Sequence, residues 1–319
     1  MRLLVTGGAG YIGSVVTARL LEEGHDVTVL DDLSTGHRDA VPPGATFVEG
    51  RVHDAEDVIA AGNFEAALHF AAFSLVGESV SNPGKYEENN IVGSSLLCDA
   101  LQRAGVHKLI FSSSAAVYGE PGDGLITETT PAAPSNPYGA TKLAIDRDLS
   151  RRTEQSEFAA VSLRYFNVAG AFGPYGERHR QETHLIPVAL EVVAGVRKQL
   201  TIFGEDFPTP DGTCVRDYIH VVDLANAHLL ALDALRSGHH EIINLGNGEG
   251  FSVYQVAGAV RRVTRRQLPI VVGPRRAGDP AKLVASNEKA KAVLGWTPEK
   301  PDLETMIEDA WEFLQSRTA

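Results

Sequence analysis

The chain has 319 residues, of which 43 % are hydrophobic and 22 % are charged, so it is long enough to bury a large core. Asp and Glu number 41 against 29 Lys and Arg, and the resulting formal net charge of -12 argues against nucleic acid as a partner. No run approaches the roughly 20 apolar residues that a membrane-spanning helix needs, so we also expect no membrane partner.

Cysteine usage and the first residues favour a reducing, cytoplasmic compartment. Cys98 and Cys214 are too few and too far apart for a disulfide framework or a cysteine-based zinc motif. The apolar stretch 1–6 runs directly into glycines, whereas a signal peptide has a longer apolar region and a cleavage site. We therefore expect a cytoplasmic protein with reduced cysteines and no metal site.

The first half of the chain alternates apolar runs with amphipathic stretches. Strands buried on both faces of a parallel sheet are predicted at residues 2–6, 26–30, 45–50, 65–70, 108–112 and 159–166. Helices are predicted between them at residues 12–23, 89–104 and 137–153. This alternation predicts an α/β fold with a doubly wound, Rossmann-like parallel sheet.

The second half begins with long loops at 170–184 and 204–218, and loops of this length inside a compact protein are usually functional. A helix at 223–235 and a strand at 241–246 predict a return to the sheet. Residues from 252 onward predict two or three further helices and a strand at 268–272. We therefore expect a first domain of residues 1–168, rejoined by 219–247, and a smaller α/β domain of residues 169–218 and 248–319.

The loop after the first strand carries Gly7, Gly10 and Gly13, which lead into the first helix. This spacing lets the backbone approach a pyrophosphate at a helix N-terminus. Asp31 ends the second strand 18 residues after Gly13, close to the roughly 20 expected for the acid that binds the adenosine ribose. A carboxylate there would repel a 2'-phosphate, so NAD is favoured over NADP. The alternative is that Asp31 and Asp32 only begin a turn.

Tyr138 and Lys142 lie four residues apart in a predicted helix and so share one face. A free tyrosine has a pKa of about 10, which must fall by about three pH units before the phenol can act as a base near neutrality. A lysine one turn away and the positive nicotinamide ring are two charges that could lower it. Taken alone, such a pair is more often an ordinary solvated helix face, and the catalytic interpretation depends on the glycine loop and on Ser114, which follows the strand predicted at 108–112.

These features together resemble the extended short-chain dehydrogenase/reductase family. Within that family, nine segments spread over nearly the whole chain resemble the UDP-glucose 4-epimerases. They are "DDLSTGH", "HFAAFSLVGESV", "YEENNIVGS", "SSSAAVYGE", "NPYGATK", "RYFNVAGA", "DGTCVRDYIHVVDLA", "NLGNGEGFSV" and "RRAGDPAKL".

The resemblance implies an NAD-dependent isomerase that interconverts UDP-galactose and UDP-glucose through a 4-keto sugar. It implies that Tyr138 exchanges a proton with the 4-hydroxyl group, that Ser114 hydrogen-bonds the same oxygen, and that Lys142 binds the nicotinamide ribose and lowers the pKa of Tyr138. The chemistry agrees, because the hydrogen on carbon 4 has no adjacent carbonyl and cannot leave as a proton. Oxidation must therefore come first, with NAD as a bound prosthetic group that is regenerated in each cycle.

The resemblance also implies the residues that line the two ligands. The residues implied for NAD are Gly7, Gly10, Tyr11, Ile12, Gly13, Asp31, Asp32, Ser34, Thr35, Gly36, Val52, Phe70, Ala71, Ala72, Asn89, Ser112, Tyr138, Lys142 and Tyr165. The residues implied for the UDP-sugar are Ser114, Tyr138, Asn167, His184, Leu185, Thr201, Phe203, Arg216, Arg276 and Asp279. Arg216 and Arg276 suit a diphosphate, because guanidinium groups match phosphate oxygens.

Three alternative functions remain at this point. A 4,6-dehydratase of the same superfamily needs an acid pair where this chain has Ala115 and Ala116. A UDP-glucuronate or UDP-N-acetylglucosamine 4-epimerase would share the serine, tyrosine and lysine. A non-catalytic NAD-binding regulator would be expected to lose Tyr138, Lys142 or the glycine spacing, and all of these are present.

Four positions depart from the pattern of the better-known bacterial epimerases. Arg51 stands where an aspartate usually binds the adenine, Ser74 replaces a lysine, and His184 replaces an asparagine that faces the substrate. Leu283 occupies a gate position whose size is associated with acceptance of N-acetylated sugars. The resemblance further implies a homodimer, for which the helices at 89–104 and 137–153 are candidate contacts; core packing is their alternative role.

Overall fold

The computed structural model describes residues 1–276 and 279–318, and it has one large parallel sheet at its centre. The strands in chain order are β1 (Arg2–Thr6), β2 (Asp26–Asp31), β3 (Thr46–Glu49), β4 (Ala66–His69), β5 (Lys108–Ser114), β6 (Ala159–Tyr165), β7 (Asn167–Ala169), β8 (Ala171–Phe172), β9 (Tyr175–Gly176), β10 (Leu200–Phe203), β11 (Val215–His220), β12 (His240–Leu245), β13 (Gly250–Ser252), β14 (Ile270–Gly273) and β15 (Lys282–Leu283).

Helices cover both faces of this sheet and form much of the C-terminal part. They are α1 (Tyr11–Glu22), α2 (Ala55–Gly62), α3 (Val76–Ser81), α4 (Pro83–Tyr86), α5 (Gly93–Arg103), α6 (Pro137–Gln155), α7 (Leu185–Val193), α8 (Val221–Ala234), α9 (Val253–Thr264), α10 (Glu288–Leu294) and α11 (Leu303–Thr318). Short 3-10 turns lie at Arg38–Ala40, Val52–Asp54 and Ala115–Tyr118, and a π-helical segment at Glu87–Val92 leads into α5.

The main sheet has seven parallel strands in the order β12-β6-β5-β4-β1-β2-β3. The strand order reverses beside β1, and ligands of such sheets bind at the carboxyl ends of the strands next to this reversal. The predicted α/β, doubly wound parallel fold is confirmed. Strand β12 pairs with β6, as expected for a segment that returns to the sheet.

Two apolar layers hold the helices to the sheet. On one face, Val15 and Leu20 of α1 and Leu224 of α8 pack with the sheet residues Val5 and Val29. The layer on the other face brings α2, α5 and α6 against strands β4, β5 and β6. Both layers are almost completely buried, which explains why the strands read as continuous apolar runs rather than as alternating patterns.

The C-terminal part has its own core and smaller sheets. Helices α7, α9 and α11 pack together around buried residues such as Leu190, Val256 and Met306. Strand β11 pairs with β7, β13 and β15, while β10 pairs with β14. The division into two domains at residues 168 and 218 stays a prediction.

Element boundaries differ from the sequence-based ones by a few residues. The helix expected at 89–104 begins earlier, as the π-helical segment Glu87–Val92, and the helix expected at 137–153 continues to Gln155. The strand expected at 268–272 is observed at Ile270–Gly273. Among the described residues, no helix is both long and apolar enough to cross a membrane.

Candidate active site

A cavity of about 1400 Å³ opens at the carboxyl ends of the main-sheet strands and extends to the C-terminal part. Every residue that the sequence analysis assigned to NAD, to the UDP-sugar or to catalysis lines this cavity. These residues come from widely separated parts of the chain, since Gly7 and Leu283 both line the cavity. Their individual contacts with a ligand stay predictions.

The glycine loop at the end of β1 is packed too tightly for a side chain at Gly7. A β-carbon on Gly7 would lie 2.4 Å from the backbone nitrogen of Ala71, and Gly7 has a φ of +76° that favours glycine. Gly10 is different, since a β-carbon there would meet only the Gly7 carbonyl oxygen at 3.4 Å. Gly10 therefore leaves the cavity side of the loop open, which is what a pyrophosphate at the N-terminus of α1 requires.

Asp31 is fixed by this same loop. Its two carboxylate oxygens accept hydrogen bonds from the backbone N–H groups of Ala9, at 3.0 Å, and Leu33, at 2.8 Å. Burial raises the pKa of Asp31, and the two backbone hydrogen bonds oppose that shift. These bonds orient a carboxylate at the cavity wall 18 residues after Gly13, in the position expected to bind ribose hydroxyls.

Ser114, Tyr138 and Lys142 come together where β5 ends against the first two turns of α6. Asn136 caps α6 by accepting the Gly139 N–H at 2.9 Å, and this cap fixes the start of the helix that carries Tyr138 and Lys142. The Lys142 ammonium group lies 5.8 Å from the centre of the Tyr138 ring. It donates a hydrogen bond of 2.8 Å to the Ser112 carbonyl oxygen.

The chain's own charges do not lower the pKa of Tyr138 as the sequence analysis expected. Burial raises the pKa of this phenol, and the opposing effect comes from the Ser114 hydroxyl rather than from Lys142. Lys142 is itself buried, which lowers its own pKa to about 7, although Asp146 partly opposes the shift. Burial thus disfavours the charged form of both groups, so the lowering of the Tyr138 pKa that a general base needs is expected from the positive charge of a bound nicotinamide ring, and that role stays a prediction.

The three serines of β5 have separate environments. Ser112 lines the cavity and its hydroxyl accepts a hydrogen bond from the Tyr165 phenol. Ser113 is fully buried on the opposite side of the strand and donates to Asp146 at 3.1 Å. Ser114 faces the cavity. This alternation follows from the two-residue period of a strand, and it puts Ser112 and Ser114, but not Ser113, on the cavity wall.

Arg216 and Asp279 form an ion pair on the far wall of the cavity. An Nη atom of Arg216 lies 2.9 Å from a carboxylate oxygen of Asp279, and the other Nη donates to the Pro280 carbonyl at 2.9 Å. Arg276 stacks over the Phe203 ring at 3.9 Å. Arg216 and Arg276 therefore place two guanidinium groups on a wall of the cavity where an anionic ligand could bind. Ala277 and Gly278, which follow Arg276, lie outside the described residues.

The sequence pattern of the NAD dependent epimerase/dehydratase family matches residues 3–246. The chain belongs to this family. It is 57 % identical over 314 residues to a UDP-glucose 4-epimerase of Corynebacterium glutamicum, covering 98 % of this chain and 95 % of that one. The predicted family is therefore confirmed, and its description names the cofactor that the glycine loop and Asp31 predict.

Two solved structures of such enzymes also resemble the whole chain. One is a UDP-glucose 4-epimerase from Stenotrophomonas maltophila with bound NAD and formylated UDP-arabinopyranose, with a TM-score of 0.96, 38 % identity and complete coverage of both chains. The other is the Bifidobacterium longum UDP-glucose 4-epimerase in complex with NAD+ and UDP, with a TM-score of 0.93 and 36 % identity over 100 % of this chain and 99 % of that chain.

The two residues that follow Ser114 bear on whether elimination is possible at this site. In this chain Ala115 and Ala116 follow Ser114, and both line the cavity. Their methyl groups cannot give or take a proton, so this wall of the cavity has no acid pair at the two positions where the sequence analysis expects one in a dehydratase.

The structure shows supporting residues that the sequence analysis missed. Asn90 is fully buried. Its side-chain oxygen accepts the Phe73 N–H at 2.9 Å, and its amide nitrogen donates to the Phe73 carbonyl at 3.0 Å and to the Thr141 hydroxyl of α6 at 3.2 Å. It thereby fixes the segment after β4 against the helix that carries Tyr138. The pair Asn89–Asn90 was a possible signal, but only the tertiary structure shows which asparagine points inward.

His220, which lies in the segment "DGTCVRDYIHVVDLA", and Arg51 have clear structural surroundings. His220 accepts the Val222 N–H at 3.0 Å and so caps α8, and its other ring nitrogen lies 2.9 Å from Asp309. Arg51 is exposed, with its guanidinium 3.5 Å from a ring nitrogen of His53. Ser74 and Leu283 both line the cavity.

Proposed function

We propose that this protein interconverts UDP-galactose and UDP-glucose by inverting carbon 4 of the sugar. The observation that carries the proposal is the placement of Ser114, Tyr138 and Lys142 around one end of a cavity whose neighbouring Ala115 and Ala116 can provide no acid for elimination. The identity of 57 % with a UDP-glucose 4-epimerase over nearly the full length supports the same activity.

Tyr138 is the group that moves the proton in the proposed reaction. Its phenolate oxygen takes the proton of the sugar 4-hydroxyl as carbon 4 is oxidised, and the resulting phenol returns that proton when carbon 4 is reduced from the other face. Ser114 lies beside the phenol and holds the same sugar oxygen by a hydrogen bond. Lys142 binds the nicotinamide ribose, at a place fixed by its hydrogen bond to the Ser112 carbonyl.

The cavity's first half suits NAD. When bound, NAD supplies a reversible acceptor for the hydride of carbon 4, which no side chain can provide. The open backbone at Gly10 admits the pyrophosphate, and Asp31 binds the adenosine ribose. A 2'-phosphate would be repelled by the Asp31 carboxylate, so the proposed cofactor is NAD and not NADP.

The second half of the cavity suits a UDP group held firmly while the sugar stays free to turn. Arg216 and Arg276 bind the diphosphate, and Asn167, Leu185 and Phe203 line the space around the nucleotide. The 4-keto sugar must present both faces in turn, so the residues around it have to grip it loosely.

A second candidate is a 4-epimerase of UDP-N-acetylglucosamine or UDP-glucuronate. The observation that favours the N-acetylated sugar is Leu283, which lines the cavity beside Arg216 and is smaller than a tyrosine. Nothing in the Ser114–Tyr138–Lys142 arrangement separates the three sugars, because all of them carry the same 4-hydroxyl chemistry.

We further propose that the protein works in the cytoplasm as a homodimer. Val92 and Leu96 expose 41 % of their surface each on the helical segment 87–103, which is one of the two expected contacts. The composition and the two free cysteines fit a reducing compartment. Size-exclusion chromatography with light scattering tests the dimer, and a mass of one chain at micromolar concentration would contradict it.

Turnover of three UDP-sugars by the purified full-length protein tests the activity. We expect UDP-galactose to be converted to UDP-glucose, with loss of turnover in Tyr138→Phe. Failure with UDP-galactose, UDP-N-acetylgalactosamine and UDP-glucuronate alike would refute the proposal. Conversion of UDP-glucuronate alone would assign the protein to the uronate branch.

A further inference from the structure

Four side chains with metal-binding atoms converge in the loop between β9 and α7. Glu177, His179, Glu182 and His184 each place one ring nitrogen or carboxylate oxygen within 4.8 Å of the others. Nδ1 of His179 lies 3.2 Å from Glu177 and 3.3 Å from Glu182. Nδ1 of His184 lies 2.7 Å from Glu177 and 2.9 Å from Glu182. Each imidazole therefore directs the same nitrogen at both carboxylates.

Each ring offers one Nδ1 atom to two carboxylates, so the polar contacts in this cluster are shared rather than one-to-one. A neutral imidazole carries at most one proton on Nδ1, so each ring can donate to only one of the two carboxylates that it faces. Glu177 and Glu182 have side chains that are only 9 % and 4 % exposed. Among the described residues, their ion pairs are with these two histidines and with no lysine or arginine.

Two protonated imidazoles would neutralise the charge of the two carboxylates, but they would also repel each other. The His179 and His184 rings are 5.2 Å apart, so two imidazolium charges would repel each other in a partly buried place. One divalent cation balances the same two carboxylates with both rings neutral. The cation would also contact both Nδ1 atoms and both carboxylates at once, whereas each hydrogen bond joins only one nitrogen to one oxygen.

We propose that this cluster binds one divalent transition-metal ion of the zinc class. The ligands are Nδ1 of His179, Nδ1 of His184 and one carboxylate oxygen each from Glu177 and Glu182, so His184 would hold the ion at the cavity wall and not the UDP-sugar that the resemblance implied for it. Zinc binds imidazole nitrogen and carboxylate oxygen at about 2.0–2.2 Å in a tetrahedron, which sets neighbouring ligand atoms about 3.4 Å apart. Glu177 presents the same oxygen, Oε1, to both rings, whereas Glu182 presents Oε2 to His179 and Oε1 to His184, at nitrogen–oxygen distances of 2.7 to 3.3 Å. The candidate ligand atoms lie within 4.8 Å of one another, so the tetrahedron requires modest shifts of these side chains.

The donor set favours zinc over calcium or magnesium, since those ions prefer oxygen ligands alone. The expectation from the sequence that the chain has no metal site rested on its two cysteines, and this set uses neither. Its sequence signal is Glu-x-His-x-x-Glu-x-His within residues 177–184. Spacing alone is weak evidence, because the two glutamates could as well have faced solvent.

The ion fixes the loop that joins two parts of the cavity wall. Glu182 is already oriented, because its Oε1 accepts the backbone N–H groups of Thr183 and His184, each at 2.8 Å. The same loop contacts the segment after β2, where His37 donates to the Arg178 carbonyl at 2.9 Å and Arg178 pairs with Asp39 at 3.0 Å. Four protein ligands leave no open coordination position, so the ion's role is structural.

Metal binding to the full-length protein tests this proposal without reference to turnover. The purified protein is stripped with a chelator, desalted and titrated with Zn²⁺ by calorimetry, and then with Co²⁺ by visible absorption. We expect one ion per chain, intense Co²⁺ bands of a tetrahedral site, and a higher unfolding temperature with Zn²⁺ than with the chelator. Absence of binding at micromolar Zn²⁺ would overturn the proposal.

Variants locate the bound ion. His179→Gln removes one ligand and is expected to weaken Zn²⁺ binding by at least about tenfold. The matched control is His239→Gln, which removes an exposed imidazole that lies 2.8 Å from Glu241, and it should bind as the parent does. Unchanged binding in His179→Gln, or equal loss in both variants, contradicts the site. If His179→Gln does not fold, X-ray absorption of the zinc-loaded parent decides, and a first shell without two imidazoles refutes the proposal.

Discussion

A β-carbon on Gly13 would lie 2.2 Å from the carbonyl oxygen of Gly7. The first turn of α1 and the end of β1 are therefore in direct backbone contact, and this contact closes the glycine loop around the space proposed for the pyrophosphate. Five residues lie between these glycines, and the close contact joins backbone atoms at the two ends of that short loop.

Gly13→Ala is expected to open this contact. The added methyl group cannot fit without a shift of α1 away from β1, and we expect a loss of roughly 1–3 kcal/mol in the free energy of unfolding together with loss of bound NAD. Chemical denaturation and the NAD content after purification measure the two effects. Gly84→Ala is the control, because a β-carbon there meets no atom within 4 Å. Equal NAD content in both variants would contradict the prediction.

Tyr138→Phe is expected to remove the proton-transfer group and nothing else. Turnover of UDP-galactose should fall by about 10²- to 10⁴-fold, with NAD content and unfolding temperature close to those of the parent. Tyr254→Phe is a matched control, since its phenol is bonded to Glu205 outside the cavity lining. A Tyr138→Phe protein with parental turnover would remove Tyr138 from the mechanism.

Lys142 is expected to make the free energy of unfolding depend on pH, and its lowered pKa sets the direction of that dependence. Burial lowers its pKa from 10.5 to about 7 in the folded protein, so between these values the unfolded chain binds more protons than the folded one. The contribution of Lys142 to the free energy of unfolding should therefore become more favourable as the pH rises from about 7 towards 10.

Urea denaturation of the parent and of Lys142→Met across this range measures that contribution. The stability of the parent relative to Lys142→Met should increase with pH, whereas Lys198→Met, at an exposed position, gives the background. A difference between the parent and Lys142→Met that decreases with pH would contradict the lowered pKa.

Asp146 lies in a buried ion pair beneath the site. Its carboxylate is 2.8 Å from an Nη atom of Arg164 and accepts the Ser113 hydroxyl at 3.1 Å, and both charged side chains are at most 5 % exposed. Asp146→Ala leaves the guanidinium buried without its partner, so we expect a loss of about 3–5 kcal/mol in the free energy of unfolding.

The comparison for Asp146→Ala is Glu56→Ala, which breaks the pair of Glu56 with Arg103. These two side chains are 64 % and 56 % exposed. An exposed pair contributes about 0–1 kcal/mol. Similar losses in the two variants, measured by chemical denaturation, would show that burial of the Arg164 pair does not have the expected effect.

Leu283 is expected to set the range of sugars. Its backbone pairs with that of Arg216 in the sheet formed by β11 and β15. Its side chain lines the cavity close to this arginine, which is proposed to bind the diphosphate. Leu283→Tyr should lower kcat/KM for UDP-N-acetylgalactosamine more than for UDP-galactose, because the larger ring fills space that an N-acetyl group needs. Steady-state assays with both sugars measure the ratio, and an unchanged ratio would exclude a gating role.

The local patterns of the chain were enough for several of these conclusions. Continuous apolar runs such as 2–6 and 159–166 predicted buried parallel strands, since only a sheet covered on both faces hides both sets of side chains. Gly7, Gly10 and Gly13 predicted the ligand loop because the need for glycine is a backbone property. The one-turn spacing of Tyr138 and Lys142 fixed their shared face.

Other properties depend on residues that are distant in the chain. The pKa of Tyr138 could not be predicted from the nearby lysine, since burial raises it and also lowers the pKa of Lys142. The inward-facing Asn90 was indistinguishable in sequence from Asn89.

The sequence by itself determined the α/β fold and the glycine loop, because each follows from a short-range pattern, and its family resemblance proposed the serine, tyrosine and lysine of the site. Only the tertiary structure decided which charges are buried together. Glu177 and Glu182 are placed against His179 and His184 by the path of one loop, and the cost of burying charge depends on those neighbours rather than on the residue type alone.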